Sequence, residues 1–457
     1  MTAEMVVMNR SAIALAADSA VTITSPSSDG GEVRKIYANA NKLFELIRGR
    51  PVGIMIYNSA DFVQVPWETL VKVYRSRRVG ASFNTVPEYV ADFCAFLREN
   101  VEQLIPADAQ KTYAELTVSQ LVNRIIETAE DLALEAVEEG KFPRINASVR
   151  KAVLESLLQG LEANTDEVAP WAIGLTEAEI IRDYASLVEL VPDRMQGTQL
   201  TKKNRLRVLG SAISIILRNS ETPATTGVVI AGFGESDVFP SAVHVQIGGL
   251  FAGRLVVSDD QTMEVTAERP SIIRPFAQTT EAATFLFGID PAVKQEIEIW
   301  WGTWLNERLG PAAQRIVSRE APSLSKRKVE DIGRRFTRFG GASWSLFAEF
   351  MNELHSKLRY GPIEASAAYL SKGEIASLAE NMVNLASLRN RVSIDRDETV
   401  GGAIDVAVIS PGDGFVWIRR KHYFDQRFNP TWAPRQQSHA VVSLSGGVSE
   451  GGRSDFA

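Results

Sequence analysis

Strand-like sequence begins almost at the first residue, and this constrains the fold more than any other feature. The runs EMVVMN and AIALAAD are short, apolar and joined by the polar turn Asn9-Arg10-Ser11, which predicts a β-hairpin whose first strand opens the chain. A strand at the terminus places the terminus inside a sheet, so the first residues belong to the folded core. Strand character continues in KLFELI and VGIMIYN across the turn RGRP, after the Ser/Pro/Gly loop SPSSDGGE, and a helix is expected from Ser59 to Arg77. It returns in TGVVIAGFG, AVHVQIGGLFAGRLVV and MEVTAE. It closes with GGAIDVAVIS and GFVWIRRKHYF, joined by Pro411-Gly412-Asp413.

Between these blocks apolar residues recur at helical spacing, first from about Ser82 to Arg218 in segments such as VPEYVADFCAFLREN and RLRVLGSAISIILRN, then from about Glu281 to Arg391. Strands segregated from helices in this way predict an α+β fold of layered sheets and helices rather than a βαβ alternation. The expected organisation is a core split over 1–81, 221–290 and 392–424. A helical insertion at 82–220 and a helical segment at 291–391, read as an insertion or as core helices, interrupt it, and a Pro/Gln/Ser/Gly-rich tail occupies 425–457.

Composition excludes several classes. A net charge of −7 argues against wholesale wrapping by nucleic acid, and the basic clusters Arg75–Arg78, Lys202–Arg207 and Lys326–Arg335 alternate with acidic stretches, which suits solvated faces or subunit contacts. No apolar run approaches the roughly 20 residues of a membrane helix. The single cysteine, Cys94, cannot make an internal disulfide and sits in an amphipathic helical stretch, so it reads as core. With no secretory start, the expected compartment is the cytoplasm. His244, His355, His422 and His439 lack metal-ligand spacing, and AGFGESD lacks the third glycine or GK[ST] of a phosphate loop. No metal or cofactor is expected. Trp300, Trp301 and Trp304 lie at helical spacing and read as helix packing or as a partner face.

The chemistry converges on residue 2. Thr2 is followed by small Ala3, so removal of Met1 exposes a residue carrying both a hydroxyl nucleophile and an α-amine, whose reference pKa near ~8 allows it to accept the hydroxyl proton. Such a site needs a cation and carboxylates. Asp18 ends the second strand of the hairpin and so returns to the level of Thr2, while Lys42 begins the next strand. Read singly, Thr2 only permits Met removal, Asp18 caps a turn and Lys42 is a solvated strand edge; together they form a constellation.

Thr2, the hairpin ending in Leu15-Ala16-Ala17-Asp18-Ser19, then IYANANKLFEL and VGIMIYNSAD resemble the opening of a proteasome β-subunit and of related bacterial threonine peptidases. The later run Asp397-Glu398-Thr399-Val400-Gly401-Gly402 resembles that family's Asp-x-x-Ser-Gly-Gly segment, and PFAQTTEAATFLFGID its active-site serine segment. The resemblance covers about half of the chain and departs from the family at Ala20, at Tyr57-Asn58 and at Val400. It implies a four-layer αββα N-terminal-nucleophile (Ntn) hydrolase sandwich, Lys42 as the essential lysine with Lys35 as the alternative, Asp397 as the second carboxylate, and Thr280 with Gln278 nearby. The turn Tyr57-Asn58 would supply the oxyanion backbone N–H.

It also implies a peptide or amide substrate, self-assembly into rings, stacks or helical arrays, and an unfoldase or other partner protein. Two further readings stand beside the threonine peptidase or amidase: an inactive proteasome-like scaffold that kept the fold, and an amidohydrolase acting on a small amide.

Overall fold

The structure is a computed structural model that describes residues 2–26, 32–37, 40–164, 167–183, 185–220, 222, 225–392, 401–432 and 434. The opening hairpin forms as expected: β1 (Ala3–Asn9) pairs antiparallel with β2 (Ala12–Ala17), Glu4 opposite Ala17 and Asn9 opposite Ala12. Asn9 locks the turn, its Oδ1 accepting from the N–H groups of Ser11 and Ala12. The segment read as a Ser/Pro/Gly loop is flanked by a second hairpin, β3 (Val21–Pro26) with β4 (Glu32–Tyr37). The segments VTIT and VRKIY are rich in β-branched residues, which favour strand pairing.

Contacts divide the chain into two compact units, Met1–Asn39 with Val265–Tyr423, and Ala40–Glu264 with Phe424–Ala457. The second unit opens with β5 (Leu43–Glu45) and β6 (Val52–Tyr57), followed by a short hairpin, β7 (Asp61–Phe62) and β8 (Val65–Pro66), and only then by helix α1 (Trp67–Arg77). The helix expected from Ser59 thus starts eight residues late. Val63 and Gln64 adopt left-handed conformations at the hairpin tip, and Pro66 bars helix continuation on its N-terminal side.

Helices α2 (Val86–Glu99), α3 (Val101–Leu104), α4 (Ala107–Glu138), α5 (Ala147–Glu162), α6 (Glu177–Asp183) and α7 (Lys202–Asn219) then follow, with a two-residue-stranded hairpin of β9 (Arg194–Met195) and β10 (Thr198–Gln199) before the last. Strands β11 (Thr226–Gly232), β12 (Ser241–Phe251) and β13 (Arg254–Glu264) complete a five-stranded antiparallel sheet ordered β13-β12-β11-β6-β5. Ile54, Ile56, Val228 and Val245 of this sheet pack against Leu70 and Tyr74 of α1 and Phe93 of α2, with Cys94 buried among them. Helices α4–α7 pack around Val122, Leu158 and Ile213, together with Phe251 of β12 and Val256 of β13.

The chain then returns to the first unit. Strand β14 (Ser271–Ala277) lies beside β1, with Ala277 opposite Ala3. Helices α8 (Thr280–Phe287), α9 (Pro291–Thr303), α10 (Leu309–Glu320), α11 (Lys326–His355), α12 (Gly361–Ala367) and α13 (Lys372–Val392) follow, and β15 (Asp405–Ser410) and β16 (Gly414–Arg419) end it. The sheet order is β14-β1-β2-β15-β16. Alternation assigns Ala3, Met5 and Val7 of β1 and Ala12, Ala14 and Ala16 of β2 to the face covered by Ile375, Ala379, Met382 and Val383 of α13. Three alanines in register keep that face of β2 low, and the helix lies directly on the hairpin. Burying each larger apolar side chain there contributes about 1.5–3 kcal/mol.

Each unit is therefore a helix-covered antiparallel sheet, the mixed α+β architecture the sequence predicts. Among the described residues no helix is long and apolar enough to cross a membrane. Trp300, Trp301 and Trp304 form an edge-to-face cluster that the described residues leave partly open, Trp300 being 60% exposed.

Candidate active site

Thr2 precedes β1 and is 2% exposed. Its carbonyl accepts from the N–H of Gln278 at 2.9 Å, just past the end of β14, which extends the β1–β14 ladder by one bond. Ala277 makes that turn at φ +57, a conformation costly for a residue with a Cβ and one that concentrates at functional sites. The hydroxyl of Thr2 donates to Glu4 Oε2 at 3.2 Å.

Asp18, 1% exposed, sits at the far end of β2 and clasps the same terminus. Its N–H donates to the Ala3 carbonyl at 3.2 Å, and its Oδ1 accepts from the Ala3 N–H at 3.4 Å. Oδ2 accepts from the N–H of Gly401 at 3.0 Å, so the Gly401-Gly402 segment is drawn to the carboxylate picked out in the sequence. A buried carboxylate persists only where hydrogen bonds replace its hydration, and two backbone donors do so here.

The remaining candidates are distributed as follows. Gln278 reaches the terminus through its backbone, and its side-chain Oε1 accepts from Asn390 Nδ2 at 3.1 Å, tying α13 to the segment. Thr280 opens α8, where its carbonyl accepts from the Thr284 hydroxyl; the group from this segment that bonds Thr2 is Gln278. Asp397, with Val400, lies outside the described residues. Lys35 falls within β4 opposite Ile23.

In the other unit, Lys42 immediately precedes β5, and its carbonyl accepts from the Ile56 N–H. It is 5% exposed, and lysines are almost never so buried without a specific role or partner. Tyr57 ends β6, its hydroxyl 2.7 Å from His244 Nε2 on β12. Its ring occupies the space a side chain at Gly227 would need, since a Cβ there would come within 2.0 Å of the ring. Asn58 follows at φ +71, a left-handed turn that asparagine tolerates and that re-aims the backbone where the oxyanion donor was expected.

Three residues escaped the sequence reading. Glu4 is the one acid in the run AEMVVMN and stands two residues from Thr2, hence on the same face of the strand; that spacing was the available signal. Asn390 continues the buried stripe of α13, and His244 interrupts an apolar alternation in AVHVQI. Asn390 Oδ1, Ser387 Oγ and Ser19 Oγ are buried without a hydrogen-bond partner among the described residues. A Cβ on Gly401 would stand 3.9 Å from Ser387 Oγ, so this unsatisfied capacity lies beside the Asp18 clasp.

The basic clusters are largely neutralised locally. Arg78 pairs with Asp92 at 2.8 Å, Arg207 with Glu155 and Glu162 at 2.6 and 2.7 Å, and Arg335 with Asp331 at 2.9 Å.

No family model matches the chain, and no curated protein matches it in sequence. Among solved structures, the chain is similar to the helical assembly of the Anbu complex from Pseudomonas aeruginosa. The identity is 9%, the coverage 99% of this chain and 98% of that one, and the TM-score 0.24. It is likewise similar to Anbu (ancestral beta-subunit) from Yersinia bercovieri, at 10% identity, 98% and 99% coverage and a TM-score of 0.23. A likeness at these scores adds nothing to the chemistry, which rests on the chain's own residues.

Proposed function

We propose that the protein is a proteasome-like threonine hydrolase of the four-layer αββα class, a peptidase or amidase whose nucleophile is Thr2 after loss of Met1. The observation that carries this reading is the construction around the first strand. A buried Thr hydroxyl hydrogen-bonded to a carboxylate lies beside a second carboxylate, Asp18, that grips the neighbouring backbone and the Gly401 N–H. Thr2 Oγ attacks a substrate carbonyl, an acyl-enzyme forms, and water hydrolyses it; the freed α-amine and the carboxylates about it are the available proton acceptors.

In this proposal Lys42 supplies the cation, the backbone at Tyr57-Asn58 donates to the oxyanion, Asp397 orients the amine, and Thr280 and Gln278 support the segment beside the nucleophile. Burial of Lys42 and the left-handed turn at Asn58 support the first two assignments. The expected setting is a cytoplasmic homo-oligomer acting without a cofactor.

The test is hydrolysis of short fluorogenic peptides alongside small acyl-amides. Activity on either that vanishes in Thr2→Ala and in Lys42→Met supports the reading, and the preferred substrate separates a peptidase from a small-amide amidohydrolase. Turnover that survives Thr2→Ala contradicts it. The 2% exposure of Thr2 favours one second reading, a scaffold that retains the fold without turnover, and absence of hydrolysis on both substrate classes is its signature.

A further inference from the structure

Glu4 is not among the candidates read from the sequence, yet its carboxylate accepts the hydroxyl of Thr2. Its carboxylate is 1% exposed on a strand whose other residues are apolar apart from Asn9 at the turn. Placing an ionised carboxylate there carries a desolvation cost that an alanine or valine would avoid. The strand period puts its side chain on the face of Thr2, and Oε2 receives the Thr2 hydroxyl at 3.2 Å. That distance is within reach of a base that must take a proton from this oxygen. Asp18, the other carboxylate at this end, is engaged instead by the N–H groups of Ala3 and Gly401.

We propose that Glu4 is a catalytic residue, the base that accepts the Thr2 hydroxyl proton during acylation; the proposal rests on the reading of Thr2 as nucleophile. As Oγ forms its bond to the substrate carbonyl carbon, the hydroxyl proton passes to Glu4 Oε2 and the carbonyl π pair moves onto oxygen. When the tetrahedral adduct collapses, the C–N bond breaks, the nitrogen takes the proton from Glu4, and Glu4 is ionised again. In deacylation the same carboxylate accepts a proton from the attacking water and returns one to Oγ. Proton acceptance then does not depend on the α-amine, so the hydroxyl is activated by a group built into the strand.

The experiment measures acylation of Thr2 by a β-lactone, a probe that reports attack by Oγ alone. Labelling is followed by intact mass on the full chain for the native sequence, Glu4→Gln, Glu4→Asp, Asp18→Asn and the control Thr2→Ala. Glu4→Gln keeps the shape of the side chain and removes the base. The expected result is a labelling rate about 10²-fold lower in Glu4→Gln, of the size a general base supplies, with partial recovery in Glu4→Asp. Asp18→Asn lowers the rate without changing its pH dependence.

The native protein alone gives a second readout that survives misfolding of any variant. Its labelling rate does not follow the titration of the α-amine near pH ~8. Equal rates in native protein and Glu4→Gln, or a profile that follows the amine, overturn the role of Glu4 while leaving Thr2 as nucleophile. A native protein whose Thr2 takes no label, with the probe active on another threonine hydrolase, overturns the Thr2 reading itself.

Discussion

At Thr2 the hydrogen bonds run in two directions: the carbonyl receives the Gln278 N–H, and the hydroxyl is given to Glu4. Much of this was legible. Thr2 and Asp18 stand out because a hairpin of known turn brings its two ends together, and the register Glu4 opposite Ala17 follows from the length of two apolar runs. Glu4 was missed because a strand acid reads as solvent-facing unless both faces of the sheet are covered, which a single hairpin does not reveal. The Tyr57–His244 bond was hidden for a different reason, since 187 residues separate the partners. That pair makes a residue-level prediction. Gly227→Ala drives a methyl into the Tyr57 ring, so unfolding by urea should show a loss of about 1–3 kcal/mol. Unchanged stability would mean that the ring is free to move away from His244.

Elements were read well where periodicity was long and poorly where a short feature intervened. Helix α13 and the paired strands β15 and β16 follow the sequence pattern, whereas β3, β4, β7 and β8 are too short for a periodic signal, and their turn residues dominated the reading. The start of α9 shows what local chemistry adds. Asp290 caps it, Oδ1 accepting from the Ala292 N–H at 2.9 Å, while Oδ2 accepts from Arg389 of α13 at 2.9 Å. The backbone hydrogen bond first, and the Arg389 guanidinium second, hold this carboxyl below its ordinary 3.8. A depressed carboxyl stabilises the fold fully above its unfolded value and loses that contribution as pH falls through the lower folded value. Asp290→Ala should therefore cost about 1 kcal/mol near neutrality and almost nothing in acid below the folded value of this carboxyl. Denaturation curves at the two pH values check this, and an equal cost at both would assign the effect to packing.

For the whole molecule, division into two units was not legible, because the first unit joins Met1–Asn39 to Val265–Tyr423 across the long segment Ala40–Glu264 of the second. A linear reading sees blocks in order and cannot tell that the strand after residue 270 returns to lie beside β1. Helices α9 and α11 carry a surface that the described residues leave open: Ile299, Trp300, Phe339, Leu346 and Phe350 are each more than half exposed. Apolar exposure of this kind marks an interaction face in soluble proteins. With the expected self-assembly, light scattering should give a mass far above the 50.2 kDa of one chain. A strict monomer at every concentration would remove the oligomer from the account.

The central claim is that the hydroxyl of Thr2 is a nucleophile on a processed N-terminus. Intact mass spectrometry of the purified protein, before and after treatment with an epoxyketone that couples to both the hydroxyl and the α-amine of an N-terminal threonine, tests it directly, with Thr2→Ala as control. The account predicts a mass lacking Met1 and a single adduct on Thr2 that Thr2→Ala abolishes. A mass that retains Met1, with no adduct formed, would contradict it.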